Sequence, residues 1–232
     1  MNEQVLSLRL MKVGEKVPQD ARLADIGSDH AYLPTFLMLN KKISYAVAGE
    51  VVKGPYESAK RQVAKNLLSE KIMVRLANGL AAIQEEDQID TITIAGMGGA
   101  LIRQILESGR EQGQLKKTET LILQPNIGER TLREWLVLNG YGIVEEEILE
   151  ENDKIYEIIV AEPVDSVHYS EKELLFGPVL LQNKTETFIK KWQREVKAKE
   201  RVLGDLQKAQ VVPQEKIKEV EEQLAWIKEV LA

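Results

Sequence analysis

Cysteine is absent from the 232 residues, which excludes a disulfide framework and any Cys-ligated zinc. Histidine is almost absent too: His30 and His168 are the only two, too few for a histidine-rich metal cluster, so no metal is expected. No stretch approaches the ~18 consecutive apolar residues of a membrane helix. The opening residues Met1-Asn-Glu-Gln4 lack a signal-peptide pattern. A cytoplasmic chain without a membrane partner is the expectation. Charge of one sign is not in great excess. The net charge of −6 argues only weakly against nucleic-acid binding by overall attraction, so charge has to be read segment by segment. What is present, 44% hydrophobic and 29% charged residues, fits a soluble globular chain with one ordinary domain and an appendage.

The densest information lies in Arg22-Leu-Ala-Asp-Ile-Gly-Ser-Asp-His-Ala-Tyr-Leu-Pro34. Leu23, Ala24 and Ile26 read as a buried strand, Asp25 and Gly27 as its polar end, and a helical pattern starts at Ala31. Strand, tight glycine turn and helix build a nucleotide-sized crevice at the carboxyl end of a parallel sheet. A second apolar run, Tyr45-Ala-Val-Ala-Gly49, closes on Glu50, 23 residues beyond Gly27. An acid about 20 residues on is placed to meet a ribose hydroxyl pair, and a carboxylate can accept both hydrogen bonds.

From residue 22 to about 162, strands and helices alternate. Strands are expected at 22–26, 44–50, 72–77, 91–95 and 119–124, with helices such as Tyr56 to Leu68, Ala100 to Leu106 and Thr131 to Leu138. This alternation implies an α/β fold with a parallel sheet covered on both faces. Tyr141 to Leu149 and Lys154 to Val160 then meet across Asn152-Asp153, an antiparallel hairpin. Five alternating units closed by an antiparallel pair point to a class I (Rossmann-like) methyltransferase sheet rather than a dehydrogenase sheet. Residues 1–163 are assigned to this α/β domain and residues 164–232 to a C-terminal α-helical coiled-coil domain. In the latter, Ile217, Val220, Leu224, Ile227 and Leu231 follow a 3-4 spacing, an a/d coiled-coil seam. Lys184 to Gln210 forms the other helix of the hairpin, and Val211-Val-Pro213 breaks between the two.

Other candidate residues sit at strand ends. Asp90-Thr-Ile-Thr-Ile-Ala-Gly-Met-Gly-Gly99 runs a buried strand into glycines, so Gly96 and Met97 border the crevice. Read alone, this loop is the best case for a nicotinamide or flavin oxidoreductase. Asn78-Gly79 follows the third strand, where the Asn78 amide suits an adenine edge. Gln124 and Asn126, uncharged and polar, suit a nucleobase edge. His30 tempts as a general base but has no histidine or cysteine near it in sequence. On the helix Lys184 to Gln210, Lys190, Arg194, Lys197, Arg201 and Lys208 fall on one face, and Phe188, Trp192, Leu203 and Leu206 lie opposite. Eight basic residues in this segment stand against four acidic ones. Such segregation favours contact with a phosphate backbone.

The motifs together resemble the bacterial TrmK family of tRNA adenine-N1 methyltransferases. The resemblance is carried by Asp25 to Pro34, Ala48-Gly-Glu50 with Gly54-Pro55, Ile94 to Gly99, Leu123-Gln-Pro-Asn126, Tyr156 to Glu162 and Gly177-Pro178. It implies S-adenosyl-L-methionine as cofactor and N1 of adenine 22 in tRNA as the methyl acceptor. It matches Asp25 and Gly27 to the cofactor loop, Glu50 to the ribose acid, and Gly96 with Met97 to the fourth-strand loop. Ser28, His30, Val51, Asn78 and Gly79 complete the expected cofactor contacts. Asn78 departs from the aspartate expected there while keeping an acceptor. Asp29, Tyr32 and Asn126 are the residues expected to position the target base. A non-catalytic tRNA-binding adaptor on the same fold is the remaining alternative.

Overall fold

Seven strands hydrogen-bond into one mixed sheet in the order β3-β2-β1-β4-β5-β7-β6. They are β1 (Ala21–Ile26), β2 (Ile43–Glu50), β3 (Ile72–Leu76), β4 (Thr91–Met97), β5 (Thr120–Pro125), β6 (Tyr141–Glu151) and β7 (Lys154–Pro163). The computed structural model describes residues 5–208 and 213–232. The first five strands are parallel, and β7 runs antiparallel to both β5 and β6. Near-continuous aliphatic runs in β1, β4 and β5 suit strands buried on both faces. One face packs Ile92, Ile94, Ile102, Leu106, Leu132 and Trp135. The other packs Val13, Leu33, Leu37, Val63, Ile158 and Val160.

The helices of this unit are α1 (Leu8–Lys16), α2 (Tyr32–Leu39), α3 (Lys53–Lys65), α4 (Gly99–Glu111), α5 (Glu129–Leu138) and α6 (Glu171–Phe176). The strands step outward from β1 to β3, and the chain then returns to lay β4 on the other side of β1. That reversal opens a crevice over the carboxyl ends of β1 and β4. At the hairpin turn, Asn152 and Asp153 have φ of 51° and 60°. Positive φ at both central residues is what a type I′ turn requires, and it holds the expected pairing in place.

Both ends of α3 differ from the sequence expectation, and one helix is additional. Helix α3 begins at Lys53 rather than Tyr56, because Pro55 is tolerated in a first turn whose N–H groups lack partners. It stops at Lys65 rather than Leu68, where Leu67 turns left-handed at φ 57°. Helix α1 was not foreseen at all. It is capped by Ser7, whose hydroxyl accepts the Leu10 N–H at 3.2 Å, and by Glu151 of the hairpin, which accepts the Leu8 N–H at 2.6 Å.

The chain divides into two compact units, Met1–Val179 and Leu180–Ala232, not at 163/164. Residues 164–179 stay with the sheet because buried groups hold them. The Tyr169 hydroxyl accepts the Ile143 N–H at 3.0 Å, Phe176 is buried, and the Val179 N–H donates to Glu146 at 2.9 Å. Beneath this segment Arg133, fully buried on α5, pairs with Glu146 at 2.7 Å and Glu157 at 2.5 Å.

The second unit contains α7 (Glu186–Gln207) and α8 (Gln214–Leu231), which pack antiparallel. Lys184, just ahead of α7, donates to the Val230 carbonyl near the end of α8 at 2.8 Å, and Lys199 donates to Gln223 at 2.6 Å. Ile217, Val220, Leu224 and Ile227 are buried in a line along α8, as their spacing predicts. Gln210, where the first helical pattern was expected to end, and the break at Val211-Val212 lie outside the described residues, as does the segment Met1 to Gln4. Among the described residues, no helix is long and apolar enough to cross a membrane.

Candidate active site

The polar ends of β1 and β2 meet first. Asp25 is buried, and its carboxylate accepts the Ser28 hydroxyl at 2.5 Å and the Thr93 hydroxyl at 2.7 Å. Burial pushes its pKa up to about 6 against the two hydrogen bonds, and the neighbouring Glu50 and Asp29 carboxylates push the same way. Glu50 is buried at the end of β2 and accepts the Asp29 backbone N–H at 2.7 Å. Burial holds its pKa above the usual glutamate range. Val51, the next residue, is exposed.

The turn between β1 and α2 is conformationally strained. Gly27 has φ of 72°, and Asp29, His30 and Ala31 follow at 38°, 64° and 56°. The Gly27 and Ser28 N–H groups both donate to the Gly49 carbonyl, at 2.9 and 3.2 Å, which fixes the turn against β2. A run of left-handed non-glycine residues is uncommon and collects at functional sites. It leaves the Asp29 side chain exposed and sends His30 sideways. His30 shares a 2.6 Å hydrogen bond with Ser58 of α3 and stacks on Tyr32 at 5.3 Å between ring centroids. The ring is thus engaged in packing and bonding.

The loop after β4 closes onto the same turn. Gly96 has φ of 80°, and the Met97 methyl occupies the space a β-carbon on Gly27 would need. Beyond β5, Asn126 donates its amide to the Gly96 carbonyl at 2.8 Å, and its own N–H reaches the Met97 carbonyl at 2.7 Å. Asp25, Gly27, Ser28, Glu50, Gly96, Met97 and Asn126 are therefore brought together at one end of the sheet. Asn78 and Gly79 stand at the end of β3, the strand neighbouring β2, with Asn78 exposed and Gly79 packed beside Ile105. Lys190, Arg194, Lys197, Arg201 and Lys208 are all exposed and belong to the second unit.

Gln124 departs from its expected role. It is fully buried, and its Oε1 accepts both the Gly96 N–H, at 3.0 Å, and the Arg9 guanidinium. Its Nε2 donates to the Pro125 carbonyl at 2.8 Å. An amide so fully committed braces the β4 and β5 loops and has little left for a base edge. Arg9, from the unforeseen α1, is a site residue that the sequence pattern did not reveal.

The donor set suits a particular ligand class. Two buried acids and left-handed backbone favour a ligand bearing hydroxyls and positive charge. They oppose a pyrophosphate, since the Asp29 N–H is already spent on Glu50 and three carboxylates share the turn.

The chain matches the model of the family described as "TrmK: tRNA (adenine(22)-N(1))-methyltransferase" over residues 23–229. It is 45% identical to the tRNA (adenine(22)-N(1))-methyltransferase of Bacillus subtilis, covering 100% of this chain and 99% of that protein. Among solved structures it is similar to Streptococcus pneumoniae Sp1610 in complex with S-adenosyl-L-methionine, with a TM-score of 0.89 and 47% identity over 98% of this chain and 100% of that one. It is similar also to M. capricolum TrmK with S-adenosyl-homocysteine, with a TM-score of 0.84 and 30% identity over 97% of each chain.

Proposed function

The chain belongs to the TrmK family of tRNA (adenine(22)-N(1))-methyltransferases, and from that premise we propose how its residues divide the work. The protein is an enzyme that uses S-adenosyl-L-methionine to methylate N1 of adenine 22 in tRNA. The oxidoreductase and adaptor readings are set aside on this membership, and the carboxylates around Gly27 independently disfavour a dinucleotide.

On the cofactor side, Glu50 accepts the ribose hydroxyls, and Gly27, Ser28 and Gly96 offer backbone at close range. Val51, Asn78 and Gly79 flank the adenine moiety. Asp25 acts one step back: it fixes Ser28 and Thr93 and supplies negative potential. His30 holds the turn through Ser58 and Tyr32. When bound, S-adenosylmethionine supplies a methyl group made electrophilic by its sulfonium.

On the acceptor side no general base is required, because adenine N1 already carries a lone pair. Orientation therefore supplies most of the catalysis. N1 lies on the Watson–Crick edge, so a paired adenine has to leave its stack. Tyr32 offers a ring face to the extruded base, and Asn126 an amide for its edge. Methylation leaves positive charge on the base, and the exposed Asp29 carboxylate is placed to stabilise it. The basic face of α7 would hold tRNA phosphates. Acting on tRNA, the enzyme works in the cytoplasm.

The observation that carries this division is the meeting of the β1, β2, β4 and β5 ends around Gly27, Met97 and Asn126. The test is methyl transfer from tritiated cofactor to a tRNA transcript and to its adenine 22→guanine variant. Label should enter the first transcript alone, at N1. Equal labelling of both would overturn the assignment of the acceptor.

A further inference from the structure

Arg9 stands apart from the other basic residues of α1. Lys12 pairs with Glu15 at 2.9 Å and Glu147 at 3.2 Å, and Lys16 pairs with Glu145 and Glu147 at 2.6 Å each. The Arg9 guanidinium meets no carboxylate among the described residues. Its Nη1 donates to Gln124 Oε1, its Cζ lies 5.4 Å from the centroid of the Tyr156 ring, and its edge lies beside Gly96. Glu151 takes the Arg9 backbone N–H at 3.4 Å rather than its guanidinium. A half-buried, permanently charged group is thus held in one place by a neutral amide and an aromatic face, with no acceptor for Nε and Nη2 among the described residues.

Its position in the sheet selects the ligand. Gly96, Gln124 and Tyr156 belong to β4, β5 and β7, on the far side of β1 from Glu50 and β2. This is the acceptor side of the crevice. Extruding a nucleotide swings it about its backbone, which brings its flanking phosphates to the pocket mouth. A guanidinium fork matches a phosphate in shape and charge, and one already held in place loses little freedom on binding. Gln124 also ties the group to the pocket, since its Nε2 lies 3.4 Å from Asn126 Oδ1.

We propose that Arg9 binds a backbone phosphate of the tRNA beside the target adenine and so fixes the extruded nucleotide in register. The inference rests on the methyltransferase reading above.

The test uses the full chain and its variants Arg9→Gln and Arg9→Lys, with a tRNA transcript carrying adenine 22. Initial rates are measured over graded tRNA and KCl, and cofactor affinity by calorimetry. Gln can still donate to Gln124, so the brace survives while the charge is lost. Arg9→Gln should raise KM for tRNA roughly ten- to a hundred-fold. It should lower the slope of log affinity against log salt by about 0.7–0.9, with cofactor affinity unchanged. Arg9→Lys should keep the slope with weaker binding, and it serves as the measure if the Gln variant fails to fold. A wild-type KM and slope in both variants would overturn the proposal. So would a loss confined to cofactor affinity, which would assign the guanidinium to the cofactor carboxylate. If the wild-type enzyme itself labels no tRNA, the functional reading fails rather than Arg9 alone.

Discussion

The Met97 methyl lies where a β-carbon on Gly27 would sit, so the β4 side chain rests against the β1 turn at its glycine. Gly27→Ala would meet both this contact and a φ of 72°. A left-handed residue costs about 1–2 kcal/mol, and the Met97 methyl, ending a flexible side chain, adds a smaller packing part. Urea denaturation should show the sum, and adding Met97→Ala should recover only the packing part. An alanine variant as stable as the wild type would dismiss the contact.

Glu50→Ala removes the acceptor assigned to the ribose diol. Hydrogen bonds to a charged group contribute roughly 1.5–3 kcal/mol, so calorimetry should show cofactor affinity falling by about one to two orders of magnitude. Unchanged affinity in the folded variant would remove Glu50 from the site.

Asp25 carries a stability penalty that depends on pH. Its folded pKa of about 6 lies above its ordinary value of 3.8, so the native state holds this proton more tightly than the unfolded chain. Stability is therefore lost as pH rises from about 4 through 6. Asp25→Asn should be more stable than wild type at pH 8, by up to about 3 kcal/mol, with the gap closing by pH 4. Thr93 can meanwhile turn its hydroxyl to the Ala24 carbonyl, 3.4 Å away. Cofactor binding should weaken in the same variant. A stability gap independent of pH would contradict the burial argument.

Arg133→Met strands Glu146 and Glu157 without their buried partner. Breaking such a cluster costs about 3–5 kcal/mol, which a shift in denaturation midpoint will register. Changing both glutamates to glutamine as well should restore much of the loss. A midpoint that does not move would mean that the cluster is dispensable.

Replacing Lys190, Arg194, Lys197 and Arg201 with Gln tests the basic face of α7. Four lost phosphate contacts should lower the salt slope of tRNA binding by roughly three units. Cofactor affinity should hold, and circular dichroism should show both helices intact, since Phe188 and Trp192 are buried on the other side. An unaltered slope would make the stripe a solvated surface.

Much of this was legible in the chain. Aliphatic runs ending in Asp25, Glu50 and Met97 mark strands by their length and their polar stop, and Asn152-Asp153 announces a turn that few other dipeptides tolerate. Arg9 was not legible, because its meaning comes from Gln124 and Tyr156, more than a hundred residues away. Gln124 misled for the same reason: a lone amide at a strand end looks available until burial and two donors claim it. The anchoring of the segment after Pro163 was not legible either, because Arg133 reads as a surface residue of an amphipathic helix. Its partners lie on β6 and β7, and only they reveal that the following segment is anchored.

The cap that Glu151 places on the Leu8 N–H joins residues 143 positions apart. That separation has a consequence for the order of assembly. Contacts of long sequence separation form late, since the loop between them has to be closed first. During synthesis α1 emerges early and can meet α2, yet its Leu8 cap waits until the hairpin at Asn152-Asp153 has left the ribosome. The β1 and β2 loops can be in place before then. The newborn enzyme would thus complete its cofactor half first, and gain Arg9, with the acceptor half, only as the hairpin pairs.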